Sequence, residues 1–164
     1  MSKTLLIIGA GGHGHVVAEI AEACGYTCSF LDDNSPAAIG KIHQIEQFST
    51  SFDFFFVAIG NNPKRQEITI KLETLNCQIP VIIHPTAYVS PSSQIGEGTV
   101  IAAGAIVNTN SRIGKGCIIS IGGLIDHDAN IEDFSHINAG AICKGGSHVS
   151  ALTKVDAGVV VQGF

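Results

Sequence analysis

A six-residue period of apolar positions runs through the second half of the chain. Thirteen of its fourteen positions are Ile or Val, and the exception is Cys143. A second series, four residues after the first, consists almost entirely of small residues. The first series is Ile83, Val89, Ile95, Ile101, Val107, Ile113, Ile119, Ile125, Ile131, Ile137, Cys143, Val149, Val155 and Val161. The second series is Ala87, Ser93, Thr99, Ala105, Ser111, Cys117, Gly123, Ala129, Ser135, Ala141, Ser147, Thr153 and Val159.

This period excludes an amphipathic helix or an ordinary strand, whose side chains repeat every 3.6 and every two residues. A fixed period of six is typical of a parallel β-helix, in which short strands stack coil upon coil. The β-branched residue of each hexad is then expected to fill the inner column. The small residue is expected at a tight corner, where little room is left.

Residues 1–82 follow a different pattern, in which apolar strand-like runs alternate with helical ones. Strands are predicted at residues 4–8, 28–31, 54–59 and 80–83. One helix is predicted to end at Gly25 and a second to begin at Pro63, a residue suited to a first helical turn. The sequence therefore predicts an α/β domain like half of a Rossmann fold over residues 1–82, and a left-handed parallel β-helix over residues 83–164.

Charge, apolar runs and cysteine spacing exclude several classes of function. The net charge is −5 and the Lys and Arg residues are scattered, so a nucleic-acid-binding surface is not expected. No apolar run approaches the ~20 residues that span a bilayer, and no cleavage signature follows Met1, so we expect a cytoplasmic protein without membrane contact. The five cysteines form no C-x-x-C pair, which makes a disulfide framework or a zinc site unexpected.

A glycine-rich segment, Gly9-Ala10-Gly11-Gly12-His13-Gly14, connects the first predicted strand to the first helix. Glycines let a phosphate approach the backbone, and a helix N-terminus offers free N–H groups to it. Residues 1–82 supply only one mononucleotide-type half, so a nucleotide carrying a sugar on its diphosphate fits better than NAD. Asp32 or Asp33 would accept hydrogen bonds from the base or the ribose. The alternative is that the glycines only make a tight turn.

The histidine at position 127 has the strongest chemical context of the seven. It stands between Asp126 and Asp128 within the repeats, and His136 follows nine residues later. If a coil takes three hexads, nine residues is half a coil, and the two histidines of one chain face different directions. A site shared by both would then need two subunits. A histidine beside a carboxylate is suited to general-base catalysis at neutral pH. The alternative is a corner histidine satisfied by Asp126.

At these residues the chain resembles a known family. The segments GAGGHGHVVAEIAEACGY, LDD, AIGNNPKR and IDHDANIEDFSHINAGA together look like the hexapeptide-repeat sugar O- and N-acyltransferases. That family is typified by sialic acid O-acetyltransferases and by the N-acetyltransferases of nucleotide-linked 4-amino sugars. The resemblance covers essentially the whole chain.

The resemblance implies a homotrimer that binds acetyl-CoA between neighbouring β-helices and a nucleotide-linked amino sugar on the N-terminal domain. By the same resemblance, His127 is the general base, Asp128 supports it, and His136 and Gly145 contact acetyl-CoA. Residues of the N-terminal loops would bind the nucleotide sugar, and no metal is implied. These residues are Gly11, Gly12, His13, Asp32, Asp33 and Gly60. Members of the family usually continue for further coils, so some coenzyme A contacts are expected to be missing from a chain that ends at Phe164.

Three functions remain open on the sequence. The first is N-acetylation of a nucleotide-linked 4-amino sugar of the UDP type, which the N-terminal half domain favours. The second is O-acetylation of sialic acid or a related acidic sugar, which calls for a cationic clamp. Only Lys41, Lys64 and Arg65 lie near the predicted loops. The third is a non-catalytic structural or sugar-binding trimer, which would have no need of the cluster around His127.

Overall fold

A computed structural model describes residues 3–164 of the chain. The chain divides into two compact units, residues 1–80 and residues 81–164.

The first unit is built on a three-stranded parallel sheet. Its strands are β1 (Lys3–Ile8), β2 (Tyr26–Leu31) and β3 (Phe54–Val57), in the order β2-β1-β3. Its helices are α1 (Gly12–Ala23), α2 (Ile45–Phe48) and α3 (Asn62–Thr74), with a 3₁₀ turn at Ile42–Gln44. The continuous apolar strands indicate burial on both faces, as expected of a parallel sheet. Leu6, Ile8 and Phe55 from the sheet pack with Leu72 of α3 in its core.

Local signals set the ends of the helices. Asn61 caps α3, because its side chain accepts a hydrogen bond from Lys64 N at 2.9 Å, and Pro63 lies in the first turn. Gly25 follows α1 with a φ of 87°, which a glycine adopts without strain. The helix start at Pro63 and the helix end near Gly25 therefore agree with the sequence prediction.

The second unit consists of two-residue strands in three parallel sheets. The first sheet contains β4 (Ile82–Ile83), β7 (Val100–Ile101), β10 (Ile118–Ile119), β13 (His136–Ile137) and β16 (Lys154–Val155). The second contains β5 (Tyr88–Val89), β8 (Ile106–Val107), β11 (Leu124–Ile125), β14 (Ile142–Cys143) and β17 (Val160–Val161). The third contains β6 (Gln94–Ile95), β9 (Arg112–Ile113), β12 (Asn130–Ile131) and β15 (His148–Val149).

The pairing register confirms the predicted β-helix. Ile118 pairs with Val100 on one side and with His136 on the other, so each coil takes 18 residues, or three hexads. The predicted inner column forms one buried core from Ile101 to Val155, and Ile83, Val89, Ile95 and Val161 pack against it. Most small residues of the second series are buried beside it, and Ala105, Cys117 and Ala141 are fully inaccessible. Ala87 and Ser93 are partly buried, and Thr153 and Val159 near the C-terminal end are exposed. Burial of one Ile or Val contributes roughly 1.5–3 kcal/mol, so the stacked column stabilises the coil geometry.

One strand prediction was wrong. Residues 80–83 were expected to form a fourth strand of the first unit, but the strand is limited to Ile82–Ile83 and lies in the β-helix. Ile82 pairs with Val100, and Ile83 pairs with Ile101. The apolar character of residues 80–83 does not indicate which strand they pair with. The 18-residue repeat places Ile82 and Ile83 beside Val100 and Ile101 of the next coil, and they pair there.

Candidate active site

His127 lies in the turn between β11 and β12, with about half of its side chain exposed. Its imidazole Nδ1 is 2.8 Å from Asp128 Oδ2, and Asp126 Oδ1 accepts a hydrogen bond from the backbone N–H of His127 at 2.8 Å. Asp128 is therefore the carboxylate that orients the ring, while Asp126 holds the backbone. With Nδ1–H donated to Asp128, Nε2 is left as the basic nitrogen.

The two carboxylates are held by asparagines of the preceding coil. Asn108 Nδ2 donates to Asp126 Oδ1 at 3.1 Å, and Asn110 Nδ2 donates to Asp128 Oδ1 at 3.4 Å. Each donor stands 18 residues before its acceptor. Both Asn110 and Asp128 adopt a left-handed backbone with a φ of 58°, a conformation for which Asn and Asp are enriched. The sequence analysis missed these asparagines, although their one-coil spacing from Asp126 and Asp128 was available as a signal.

The two carboxylates make His127 more basic. The hydrogen bond that His127 donates to Asp128 is the main cause of the raised pKa of His127, and the charge of Asp126 is the second. The pKa of Asp128 is lowered, first by its hydrogen bond with His127. Backbone donation from His127 is the main cause of the lowered pKa of Asp126. The arrangement thus stabilises a proton on the imidazole, which is what a general base requires.

Gly145 lies one coil above His127. A Cβ atom on Gly145 would stand 2.8 Å from both Cε1 and Nε2 of His127, so the ring has room only because this position is glycine. The next residue, Gly146, donates its backbone N–H to His127 O at 3.0 Å. The ring of Phe164 is 6.3 Å from the His127 ring, centroid to centroid. The structure therefore brings Gly145 and His127 together.

The structure places His136 away from this turn. His136 belongs to β13 in the first sheet, whereas His127 lies in the turn that joins the second sheet to the third. Its Nε2 is 3.0 Å from Ser120 Oγ, a contact that the sequence analysis missed. Ser120 stands 16 residues before His136, outside the 18-residue register, and hence carried no simple signal.

The glycine loop of the first unit separates into structural and accessible positions. Gly9 has a φ of 105°, and a Cβ on Gly14 would stand 2.1 Å from Gly9 O, so these two glycines are required by the turn itself. A Cβ on Gly11, Gly12 or Gly60 would meet nothing within 4 Å. Those three positions border open space, and Gly11 and Gly12 stand at the start of α1, where backbone N–H groups are available.

Asp32 braces the same loop. Its Oδ2 accepts a hydrogen bond from Ala10 N, and its Oδ1 accepts from Asn34 N and Ser35 N, each at 2.8 Å. Backbone donation, first from Ala10 and then from Asn34, lowers the pKa of Asp32. A carboxylate has about four acceptor sites, so three of them are already in use. Asp32 therefore fixes the loop geometry in addition to any contact with a ligand.

Asp33, the neighbouring predicted site residue, is exposed. Its Oδ1 accepts from Ile42 N at 3.0 Å. It also lines a cleft of about 310 Å³ together with His43 and Lys64. The volume of this cleft lies at the lower end of the range for small-molecule pockets. Asp33 and this cleft are both within the first unit.

The three cations considered as a clamp for an acidic sugar are engaged elsewhere. Lys41 Nζ donates to Asp33 O at 2.6 Å, and Lys64 Nζ pairs with Glu67 at 2.8 Å. Arg65 is 1% exposed and donates to Ile59 O and to Asn62 Oδ1. A buried arginine cannot form an exposed clamp for a carboxylate of the substrate.

Residues 3–164 contain no group of three or more His, Cys, Asp or Glu side chains arranged to hold a metal ion. In the same part of the chain, no helix has the length and apolar character that crossing a membrane requires.

Comparison with known proteins relates this chain to proteins named as acetyltransferases. Residues 4–72 match the family model of the PglD N-terminal domain. The UDP-N-acetylbacillosamine N-acetyltransferase of Bacillus subtilis (strain 168) is 34% identical over 116 residues, which cover 62% of this chain and 52% of that protein. The match thus spans about half the length of this curated relative.

Solved structures match over nearly the whole chain. The acetyltransferase domain of PglB from Neisseria gonorrhoeae FA1090, in complex with acetyl coenzyme A, is 37% identical with a TM-score of 0.92, and the match covers 98% of this chain and 82% of that one. A mutant of perosamine N-acetyltransferase from Caulobacter crescentus, in complex with CoA and GDP-perosamine, is 31% identical with a TM-score of 0.88. That match covers 98% of this chain and 89% of the other.

A half-Rossmann-like unit joined in sequence to a left-handed hexapeptide β-helix defines the class of hexapeptide-repeat acyltransferases. Within that class, the chain belongs to the family of sugar N-acyltransferases that includes the PglB acetyltransferase domain and perosamine N-acetyltransferase.

Proposed function

We propose that this protein is an acetyl-CoA-dependent N-acetyltransferase that acts on the amino group of a nucleotide-linked 4-amino sugar, with His127 as the general base. The observation that carries the proposal is the 2.8 Å contact between His127 Nδ1 and Asp128 Oδ2. This contact leaves Nε2 beside the bare backbone of Gly145 in an exposed turn. The similarity to relatives named as acetyltransferases of nucleotide amino sugars supports the same reaction.

The chemistry follows from these residues. Acetyl-CoA supplies an acetyl group activated as a thioester. As the amine nitrogen bonds to the acetyl carbon, His127 Nε2 accepts the proton that the amine loses. Asp128 stabilises the imidazolium through Nδ1, and Asp126 adds a second negative charge nearby. The carbon–sulfur bond breaks, and the proton held by His127 is available to the departing thiolate, so the products are an amide and a free thiol.

Gly145 supports an acetyl-CoA site at this turn. A Cβ on Gly145 would stand 2.8 Å from Nε2 and would displace the ring of the proposed base. We therefore retain Gly145 as an acetyl-CoA contact. His136, which lies on another sheet, would serve such a site only from a neighbouring subunit, as the half-coil spacing implies.

The first unit is the proposed site for the nucleotide sugar. Gly11, Gly12 and Gly60 border open space, and the start of α1 offers N–H groups to a diphosphate. The cleft beside Asp33 has room for part of the nucleotide. Because Lys41, Lys64 and Arg65 are engaged within the unit, a free acidic sugar has less support as the substrate.

A column of exposed apolar side chains on the β-helix supports assembly into a homotrimer. It consists of the outward residues of the second sheet, of which Tyr88, Ile106, Leu124 and Val160 are exposed and Ile142 is partly buried. Tyr88 is 53% exposed and Leu124 is 36% exposed. Contiguous apolar surface of this kind marks protein interfaces. His127 follows this sheet directly, so the proposed site would lie at the edge of the subunit contact.

Thiol release from acetyl-CoA tests the proposal. UDP-linked and GDP-linked 4-amino-4,6-dideoxy sugars and sialic acid are compared as acceptors, with His127→Ala as the inactive control. Release with a nucleotide-linked amino sugar and not with sialic acid is expected. Release with sialic acid alone would instead assign O-acetylation. A folded trimer that releases no thiol with any acceptor would favour a non-catalytic sugar-binding role.

A further inference from the structure

Among residues 3–164, the largest fully buried side chain is that of Arg65, a charged residue near the start of α3. Its Nη1 donates to the carbonyl of Ile59 at 2.9 Å, and its Nη2 donates to Asn62 Oδ1 at 2.8 Å. These two acceptors flank Gly60 and Asn61 in the loop after β3. The guanidinium therefore ties both ends of this loop to the first turns of the helix.

Burial of a guanidinium is unfavourable unless hydrogen bonds compensate it, and an apolar side chain of similar volume often stabilises such a position as well or better. Arg65 is thus an unexpected residue for a purely structural position. Its planar fork matches the two acceptors, a geometry that the single ammonium group of a lysine does not reproduce.

The positive charge of Arg65 also acts on the glycine loop. His13 of that loop is partly buried, and its Nε2 has no hydrogen-bond partner among residues 3–164. Burial, and secondly the charge of Arg65, lowers the pKa of His13 from 6.5 to about 4. The carboxylate of Asp32 reaches the same loop, through Ala10 N. At neutral pH the imidazole of His13 is consequently uncharged.

We propose that Arg65 is a positioning residue of the nucleotide-sugar site, which fixes the loop carrying Gly60 and keeps a permanent positive charge near His13. The inference rests on the function proposed above and extends it to a residue that never touches the ligand. The charge of Arg65 adds to the positive end of α1 and favours a diphosphate at the loops. A neutral His13 serves the site as a hydrogen-bond donor or acceptor without an ion pair.

The first test is the pH titration of His13 in the ligand-free protein, followed by NMR of its imidazole Cε1–H, with His13→Gln to assign the signal. In Arg65→Met we expect the midpoint to rise from about 4 towards 6.5 without reaching it, because burial remains. Lys3→Met is the matched control, since it removes one positive charge from the opposite end of β1. An unchanged midpoint in Arg65→Met would overturn the electrostatic part of the proposal.

The second test compares Michaelis constants. Arg65→Lys keeps the charge but loses one of the two hydrogen bonds, so the KM for the nucleotide sugar is expected to rise about tenfold. The KM for acetyl-CoA and the His13 midpoint should stay close to those of the wild type. Equal losses for both substrates would reduce Arg65 to a general structural role. Arg65→Lys also serves as the decisive variant if Arg65→Met does not fold.

Failure of the proposed function is distinguishable from failure of this inference. If the wild type acetylates none of the acceptors, the His13 titration and calorimetric binding of UDP or GDP still report on Arg65. Weaker nucleotide binding in Arg65→Lys than in Lys3→Met would sustain the inference without any turnover. Equal nucleotide affinity in the wild type, Arg65→Lys and Lys3→Met would refute the inference.

Discussion

The imidazole Nδ1 of His127 lies 2.8 Å from Asp128 Oδ2, although the two residues are adjacent in sequence. Asp128 makes this contact from a left-handed backbone with a φ of 58°, in the turn between β11 and β12. The proposed catalytic pair is therefore contained within one turn of one coil. Its orientation depends on neighbouring coils through Asn110 and Gly145.

His127→Ala should lower kcat by ~10²–10⁴, equivalent to about 3–5 kcal/mol of transition-state stabilisation, because it removes the base that accepts the amine proton. Steady-state thiol release measures the effect. His148→Ala is the matched control, since His148 is an exposed histidine of the third sheet whose Nε2 lies 2.8 Å from Glu132 Oε1. If His127→Ala turns over at the wild-type rate, His127 has no part in the mechanism.

Asp128→Asn should shift the acid limb of the kcat/KM profile to lower pH. The hydrogen bond with Asp128 is the main cause of the raised pKa of His127, so its weakening lets that pKa fall. The base must be deprotonated to act, hence activity rises at a lower pH in the variant, while the plateau falls because the base is weaker and less well oriented. Asp126→Asn should shift the limb less. A larger shift in Asp126→Asn would reverse the roles assigned to the two carboxylates.

Gly145→Ala should reduce kcat by at least tenfold while the β-helix stays folded. The added Cβ would stand 2.8 Å from Nε2 of His127, so the ring has to leave the position set by Asp128. Circular dichroism and the Tm monitor the fold, and thiol release monitors the rate. Wild-type kcat in a folded Gly145→Ala protein would mean that this ring position is unimportant.

Asp32→Asn should weaken nucleotide binding and change the acid stability of the protein. The lowered pKa of Asp32 means that its stabilising contribution is present above the ordinary value of 3.8 and is lost as the pH falls below it. The variant lacks this contribution at pH 7 and should therefore lose less stability than the wild type on acidification. Urea unfolding midpoints at pH 7 and at a pH below 3.8 measure the difference. Glu19→Gln, an exposed change on α1, is the control. Identical acid sensitivity in Asp32→Asn and the wild type would contradict the bracing role.

Leu124→Glu should weaken self-association at least tenfold, because loss of one buried leucine contact costs about 1.5–3 kcal/mol and a charge replaces it. Sedimentation equilibrium measures the effect. Lys154→Glu places the same charge on the outer face of the first sheet and should not alter assembly to the same extent. If Leu124→Glu retains the wild-type oligomeric state, the apolar column of the second sheet is not the subunit contact.

The sequence by itself determined the β-helix and the position of the proposed site within its repeats. Each hexad carries its own inward residue, from Ile83 to Val161. The β-helix can therefore be predicted from residues close together in sequence. The 18-residue coil also follows from three hexads, and it stacks position 145 on position 127. The α/β nature of the first unit was equally readable, because strand and helix patterns depend on residues close in sequence.

Only the tertiary structure decided how the side chains meet. The choice of Asp128 over Asp126 depends on a turn dihedral, and the contact between His136 and Ser120 crosses coils outside the repeat register. The burial of Arg65 depends on packing around α3, and the assignment of Ile82 and Ile83 to the β-helix depends on which edge is free for pairing. Repeats fix the backbone locally, whereas side-chain partners are set by the space and charge that distant residues leave around them.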